Sequence, residues 1–358
     1  MTARGPAVPF SRATQVALVA AGLHVAGVYR VISAALAEDL RYGPDATSDA
    51  TVPITATAVA QITPRTAGVL AGVPVALAVF DAAASVIAAE GQLYTVVDHR
   101  PDGSAAVPGE PAIVLRGNVR HLLTAERTAL NLICHLSGIA TVTRAWVDAV
   151  EGTGCTVRDT RKTLPGLREL EKYAVRCGGG ANHRLGLGDA VLIKDNHVRA
   201  AGSVAVAIGQ VRLHAPHLPC EVEVDTLEQL DEALAVGAEL VLLDNFTPDE
   251  CALAVHRVRA TGSGTILEAS GGLTLAQARR YAETGVDYLA VGALTHSAPA
   301  LDLGMDLAAD PADLAVREPA DLADPADRVV REPAHEPGAE PAGRAARGPA
   351  VSRPVESG

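Results

Sequence analysis

The sequence predicts an α/β protein in two parts: an N-terminal α+β sandwich domain over residues 28–140 and an open, TIM-like α/β barrel over residues 141–296. Three observations predict it. Short apolar runs recur at 155–157, 191–193, 222–224, 240–243, 266–269 and 288–291, each ending in polar residues or glycine. Between the later runs, Thr226, Thr247 and Thr274 each precede Gln or Glu by three residues, as in capping boxes, and Gly237, Gly262 and Gly285 stand where each helix should stop. The landmarks Glu223, Asp244, Ser270 and Gly292 are 21, 26 and 22 residues apart, close to one strand-helix unit each. Repeated units of this kind make a parallel sheet. Polar residues gathered at the strand C-termini fit a barrel better than an open sheet, and only six runs make that barrel incomplete.

In chain order, residues 1–27 read as a flexible or helical lead. The apolar stretch 13–29 is broken by Gln15, Gly22, His24 and Gly27, and it lacks the basic flank and cleavage site of a signal peptide. Val28, Val31, Ile32, Ala35, Leu36 and Leu40 follow helical spacing and predict a helix over 28–41 that stops at Gly43-Pro44. Strand-like pieces at 59–63, 68–73, 93–99 and 112–116 are separated by Pro, Gly and Asp. A helix is expected over 75–89, a longer one over 118–137, and a last one over 297–308 that returns to this domain. From 309 to 358, repeats hold eight of the 22 prolines and few large apolar residues. Such a segment cannot bury enough to offset its ordering entropy, so a disordered tail is expected.

Composition excludes several classes. Thirty basic residues against 42 acidic ones give a formal charge of −12, which disfavours nucleic-acid binding. No run is long and apolar enough to suggest a membrane span. Cys134, Cys155, Cys177, Cys220 and Cys251 are odd in number and widely spaced, which argues against a disulfide framework or a zinc site and for thiols in a reducing cytoplasm. A Gly-x-Ser-x-Gly elbow, a P-loop and a His-Glu-x-x-His pair are all missing, so nucleophilic or zinc hydrolysis has no support.

The chain has only three lysines, Lys162, Lys172 and Lys194, close together in sequence. In a barrel the strand ends converge on one site. Those ends bring Arg161, Lys162, Lys194, Glu223 and Asp244 together, with His183 and Arg184 from a loop. Four cations on one rim need anions beyond two carboxylates, so the missing charge belongs to the ligand. Ser270, Gly271 and Gly272 stand before a predicted helix and, with Val291, Gly292 and Ala293 on the next strand end, suit a phosphate. Glu223 and Asp244 could accept from ribose hydroxyls or hold Mg²⁺ through water. Lys172 is expected in a loop or helix at the rim. Arg127 lies four residues after Leu123 and three before Leu130, near an apolar stripe, where the adjacent Glu126 is a poor partner. A Schiff-base lyase using Lys194 and a non-catalytic binding barrel stay open on these residues alone.

The segments RDTRKTLPGLRELEKYAV, GGGANHRLGLGDAVLIKDNH, EVEVD, LLDNF, EASGG and AVGALTHSAPALDLGMD resemble the quinolinate phosphoribosyltransferase family, as do EDLRYGPDATSDATVP and AERTALNLICHLSGIAT. The resemblance covers about residues 28–308. It implies an enzyme that joins quinolinate to phosphoribosyl pyrophosphate with Mg²⁺, releasing nicotinate mononucleotide, pyrophosphate and CO2 in NAD biosynthesis. It implies a sandwich domain joined to an open barrel, in a cytoplasmic homodimer or larger assembly. It places quinolinate on Arg127, Arg161, His183, Arg184 and Lys194, with Arg127 acting in the neighbouring subunit's site, and counts Thr160 among the substrate-binding residues. Phosphoribosyl contacts fall on Lys162, Glu223, Asp244, Ser270 to Gly272 and Val291 to Ala293, and Lys172 matches a lysine of the pocket rim. Catalysis falls on Lys162, Lys194, Glu223 and Asp244.

Overall fold

The computed structural model describes residues 8–86 and 93–309. The expected tail lies outside the described residues but for Ala309. The lead is helical from Arg12. Helix α1 (Arg12–Ala20) is capped by the Ser11 hydroxyl, which accepts from Thr14 N, and α2 (Val25–Asp39) by His24 Nδ1, which accepts from Gly27 N. The α2 periodicity is as read: Val28, Ile32 and Leu36 are buried. The two helices are bent by 115° to one another, and no single helix among the described residues is long and apolar enough to cross a membrane.

After a short α3 (Ala46–Thr51), an antiparallel layer forms from β1 (Thr57–Pro64), β3 (Tyr94–His99) and β5 (Ile113–Asn118); β2 (Gly68–Val69) pairs separately with β4 (Ala105–Ala106). Helix α4 (Val73–Val86) begins within the expected strand 68–73, because Asp102 accepts from both Gly72 N and Val73 N and so caps it. The expected last helix is instead a strand, β12 (Leu303–Ala309), which pairs antiparallel with the free edge of β1, Leu303 opposite Pro64. It returns to this domain as expected, but the open β1 edge offers backbone partners to an extended chain, and Gly304 weakens a helix. The final order is β12-β1-β5-β3.

Helix α5 (Val119–Ala149) is 31 residues long and runs past the expected boundary near residue 140. Just past the expected helix 118–137, Gly138 is a crossing point: a Cβ would collide with Pro299 O. A helix thus carries the chain straight from one layer into the other. Beyond it come β6 (Thr156–Arg158), α6 (Arg168–Cys177), β7 (Val191–Ile193), α7 (Asp195–Ala201), α8 (Val204–His214), β8 (Cys220–Val224), α9 (Leu227–Ala235), β9 (Leu240–Asp244), α10 (Pro248–Thr261), β10 (Ile266–Ser270), α11 (Ala278–Ala282), β11 (Tyr288–Ala290) and α12 (Ala293–His296). The six strands form one parallel sheet in the order β6-β11-β10-β9-β8-β7, an open barrel wall. Val222, Val224, Val241, Leu243, Leu267 and Leu289 are buried on the face opposite Glu221, Glu223 and Glu268.

Two of the three expected capping residues behave as read. Thr247 forms a complete capping box with Glu250, and Thr226 Oγ1 accepts from Gln229 N. Thr274 does not cap: its hydroxyl donates to Gln277 Oε1, and a 3₁₀ turn follows.

Candidate functional site

The site lies where the parallel strands end. The Glu223 carboxylate ends β8 and pairs with Lys194 Nζ, which extends from the end of β7. Asp244 ends β9 beside it. Burial raises the Asp244 pKa, Glu223 raises it further, and Lys194 and Lys162 oppose the shift. Two lysines and two carboxylates therefore share one electrostatic neighbourhood. Lys162 reaches it from the loop after β6: its stem lies across Gly292, where a Cβ would stand 2.9 Å from Lys162 Cδ and 3.4 Å from Thr160 Oγ1. Thr160 Oγ1 accepts from Lys162 N, which turns the loop back on itself.

Arg161 and Arg184 form the second half of the site. Arg184 is half-buried, and burial and then Arg161 lower its pKa, so the two guanidiniums feel each other. The Nε atoms of both are buried with no hydrogen-bond partner. A like-charged pair with unsatisfied donors is costly unless an anion completes it.

At the far side, Ser270 O accepts from Asn245 N, and Asn245 Nδ2 donates to Asp244. Asn245 has φ 58°, in the left-handed region, and Gly271 at φ 92° passes so close that a Cβ would strike the Asn245 side chain. Asn245 thus ties the Asp244 strand end to the glycine turn. Sequence reasoning passed over it, although a polar Asn after a strand-end Asp is a signal for this conformation. The glycine turn is as expected, but the helix behind it is not. A 3₁₀ turn (Leu275–Gln277) and the five-residue α11 follow, so the dipole contribution is small and the turn's own N–H groups carry any phosphate contact. Val291 is buried and its N–H is spent on Arg158 O, which leaves Gly292 and Ala293 as that strand end's contribution.

Three expected site residues stand elsewhere. Lys172 is not at the rim: it is fully buried on α6, paired with Asp159 and donating to His183 O. Burial lowers its pKa and raises that of Asp159, while their contact opposes both shifts. His183 is also buried. Its Nδ1 accepts from Arg184 N, and its Nε2 lies 2.8 Å from Glu221 Oε2, so the ring faces inward, although that buried nitrogen makes no hydrogen bond there. It sits in an interior cluster with Glu221, Glu268 and Arg158 that sequence reasoning missed, since alternate residues of a strand point into the barrel as readily as out of it. Arg127 is exposed on α5 rather than set in an apolar stripe, because Thr128, Ala129 and Leu130 take the buried face. It makes no ion pair among the described residues, and its charge is felt by Glu126 and Cys134 of its own helix.

Comparison with known proteins matches this geometry to a family. A model described as quinolinate phosphoribosyl transferase, N-terminal domain, matches residues 45–137, and the C-terminal domain model matches 139–306. The chain is 58% identical over 276 residues to the nicotinate-nucleotide pyrophosphorylase [carboxylating] of Mycobacterium leprae, covering 77% of this chain and 95% of the relative. It is 40% identical over 246 residues to the Homo sapiens protein of that name, covering 68% and 80%. The solved structure of the nicotinate-nucleotide pyrophosphorylase from Francisella tularensis superimposes with a TM-score of 0.73 at 38% identity, covering 79% of this chain and 96% of that one. Two adjacent domain models and this extent of identity agree with a sheet layer joined to an open barrel: the chain belongs to the quinolinate phosphoribosyltransferase family.

Proposed function

We propose that the chain transfers the phosphoribosyl group of phosphoribosyl pyrophosphate to quinolinate with loss of CO2, giving nicotinate mononucleotide and pyrophosphate for NAD biosynthesis. The observation that carries this reading is the pair of guanidiniums with unpartnered Nε atoms, Arg161 and Arg184, beside the Lys162–Lys194–Glu223–Asp244 group. One half suits a dicarboxylate and the other a ribose with its phosphates. Quinolinate's carboxylates lie on Arg161 and Arg184, with Lys194 and Thr160 at the edge. This orients the ring nitrogen toward the anomeric carbon. As pyrophosphate departs, positive charge grows on that carbon. Glu223 and Asp244 stabilise it through the ribose hydroxyls, and Lys162 offsets charge on the leaving group. The ring nitrogen is then cationic and stabilises the electron pair left by CO2, and that carbon takes a proton from water to complete the product. The enzyme needs no covalent intermediate.

Glu223 and Asp244 are hard oxygen donors close enough for one to raise the other's pKa, a donor set that suits Mg²⁺. They would hold it through water or the substrate, and the ion would neutralise pyrophosphate charge. Ser270, Gly271, Gly272, Gly292 and Ala293 hold the 5′-phosphate by backbone N–H groups. His183 and Lys172 serve from within, fixing the Arg184 backbone and the 159–183 segment. Five free thiols fit a cytoplasmic protein.

Purified protein with quinolinate, phosphoribosyl pyrophosphate and Mg²⁺ should form nicotinate mononucleotide; no product sinks the reading. We also place Arg127 in the neighbouring subunit's site of a homodimer, since its exposed guanidinium has no ion-pair partner among the described residues. Arg127→Ala and Lys194→Ala homodimers should each be inactive. Their mixture should recover up to about a quarter of wild-type activity, because half the dimers are hybrids with one complete site. Proven hybrids without recovery would leave Arg127 outside the partner's site.

A further inference from the structure

Lys162 sits in an exposed loop, residues 159–167, between β6 and α6. A long lysine on such a loop has many conformations, and holding one requires anchors below it. The structure supplies three. Thr295, buried on α12, donates from Oγ1 to Lys162 O at 2.9 Å. Thr160 Oγ1 accepts from Lys162 N at 3.0 Å. The third is Glu171 on α6, whose side chain is wholly buried: Oε2 accepts from Leu164 N at 3.1 Å, and Oε1 lies 3.0 Å from His135 Nε2.

The third anchor differs from the others. Thr160 follows β6 and Thr295 lies on α12, which follows β11, so both sit next to the strand ends that bear the site. Glu171 instead reaches the loop from beneath, and its other oxygen is held by His135 of α5, the long helix that begins in the antiparallel layer. A buried carboxylate is costly unless both oxygens are satisfied. Here one oxygen is satisfied by a backbone N–H two residues from Lys162 and the other by the histidine. Leu164 itself is 42% exposed and Gly166 has φ 83°, so little side-chain packing holds this stretch. Arg168 Nε, donating to Thr163 Oγ1, adds only a partly exposed contact.

We propose that Glu171, braced by His135, is a positioning residue that holds the Lys162 loop in its phosphate-facing conformation. It touches no reacting atom and acts through Leu164 N. The proposal rests on the reading of Lys162 as the lysine of the pyrophosphate side, and it deepens that reading by extending control of this lysine to a helix of the other layer.

The scarcity of lysine provides a test that does not depend on activity. With Lys172 buried, a lysine-specific endoprotease can report only on Lys162 in the loop and on Lys194, a control for general loosening. Loss of a charge-assisted hydrogen bond is large enough to open the loop at least about tenfold more often. Glu171→Ala should therefore speed cleavage after Lys162 by about that factor and leave cleavage after Lys194 nearly unchanged. It should also raise KM for phosphoribosyl pyrophosphate several-fold more than KM for quinolinate. Glu171→Gln keeps an acceptor for Leu164 N and should restore most of both effects. His135→Ala should move both readouts the same way, by less. No preferential cleavage after Lys162, or equal acceleration at both lysines, overturns the proposal. If Glu171→Ala does not fold, His135→Ala carries the same two readouts and the same overturning results. A wild-type protein without transferase activity would refute the reading of the site, while the protease pattern would still decide the anchoring of the loop.

Discussion

The barrel carries two sets of charges, one at its rim and one inside, and the chain treats them in opposite ways. Inside, Lys172 meets Asp159, Arg158 donates to Glu268 at 2.6 Å, and His183 lies beside Glu221. At the rim, Arg161 and Arg184 crowd each other with their Nε atoms unpartnered, and only Lys194 has a close carboxylate. Each interior cation has a carboxylate partner within the protein, although His183 Nε2, Glu221 Oε1 and Glu268 Oε1 make no hydrogen bond, so the ion pairs brace the strand ends. At the rim only Lys194 and Glu223 pair, and on the proposed reading a bound anion completes the two guanidiniums. Charge in the same sheet thus serves stability at one depth and binding at another.

The sharpest way to break this comparison is to remove a lysine from each set. Lys172→Met leaves Asp159 buried without its cation. It should cost about 3–5 kcal/mol in denaturant unfolding, or prevent folding. Lys162→Met, at the exposed rim, should leave the unfolding midpoint nearly unchanged and lower kcat about a hundredfold, the typical loss for one donor to developing charge. If the two lysines gave similar effects on stability, the division between rim and interior would fail.

A smaller effect follows at the substrate. With two guanidiniums awaiting carboxylates, quinolinate should be turned over at least about tenfold more efficiently than nicotinate, since one charge-assisted contact is worth about 1.5–3 kcal/mol. Comparable kcat/KM for the two acids would mean that only one of Arg161 and Arg184 binds a carboxylate.

The rim was far more legible in the sequence than the interior. Strand-end residues are announced by position: a short apolar run, then Arg161-Lys162, Lys194, Asp244 or Ser270-Gly271-Gly272. Glu221 and Glu268 lie inside such runs, where nothing in a linear pattern separates an inward carboxylate from a solvent-facing one. Lys172, expected in a loop or helix at the rim, sits on an α6 turn that faces the core, with Leu170, Tyr173, Ala174 and Val175 also buried. In the antiparallel layer the long elements were legible except where a long-range partner decided them, while the short α3 and β4 were not read. Leu303–Ala309 became a strand because β1 had an open edge, and α5 ran through Gly138 because Pro299 crosses there. Both decisions depend on contacts across more than a hundred residues of chain, which periodicity cannot report.

The smallest expected effect concerns the proton of the interior set. The Glu268 carboxyl is pushed from the ordinary 4.5 up to about 8 by burial and next by Glu221, against the pull of Arg158. Over about pH 4.5–8 the folded chain therefore holds a proton that the unfolded chain has released. The stability that this contributes is complete below the unfolded value and is lost as pH rises through about 8. Glu268→Gln preserves the shape, still accepts from Arg158 and cannot ionise. Between about pH 7 and pH 8, wild-type unfolding free energy should fall by on the order of 1 kcal/mol more than that of the variant, the worth of roughly one pKa unit. Denaturant titrations of both proteins across that range measure the difference directly. Parallel curves would mean that Glu268 is ionised throughout and that the interior, like the rim, holds net charge; a steeper fall in wild type would show that the interior stays balanced by keeping a proton.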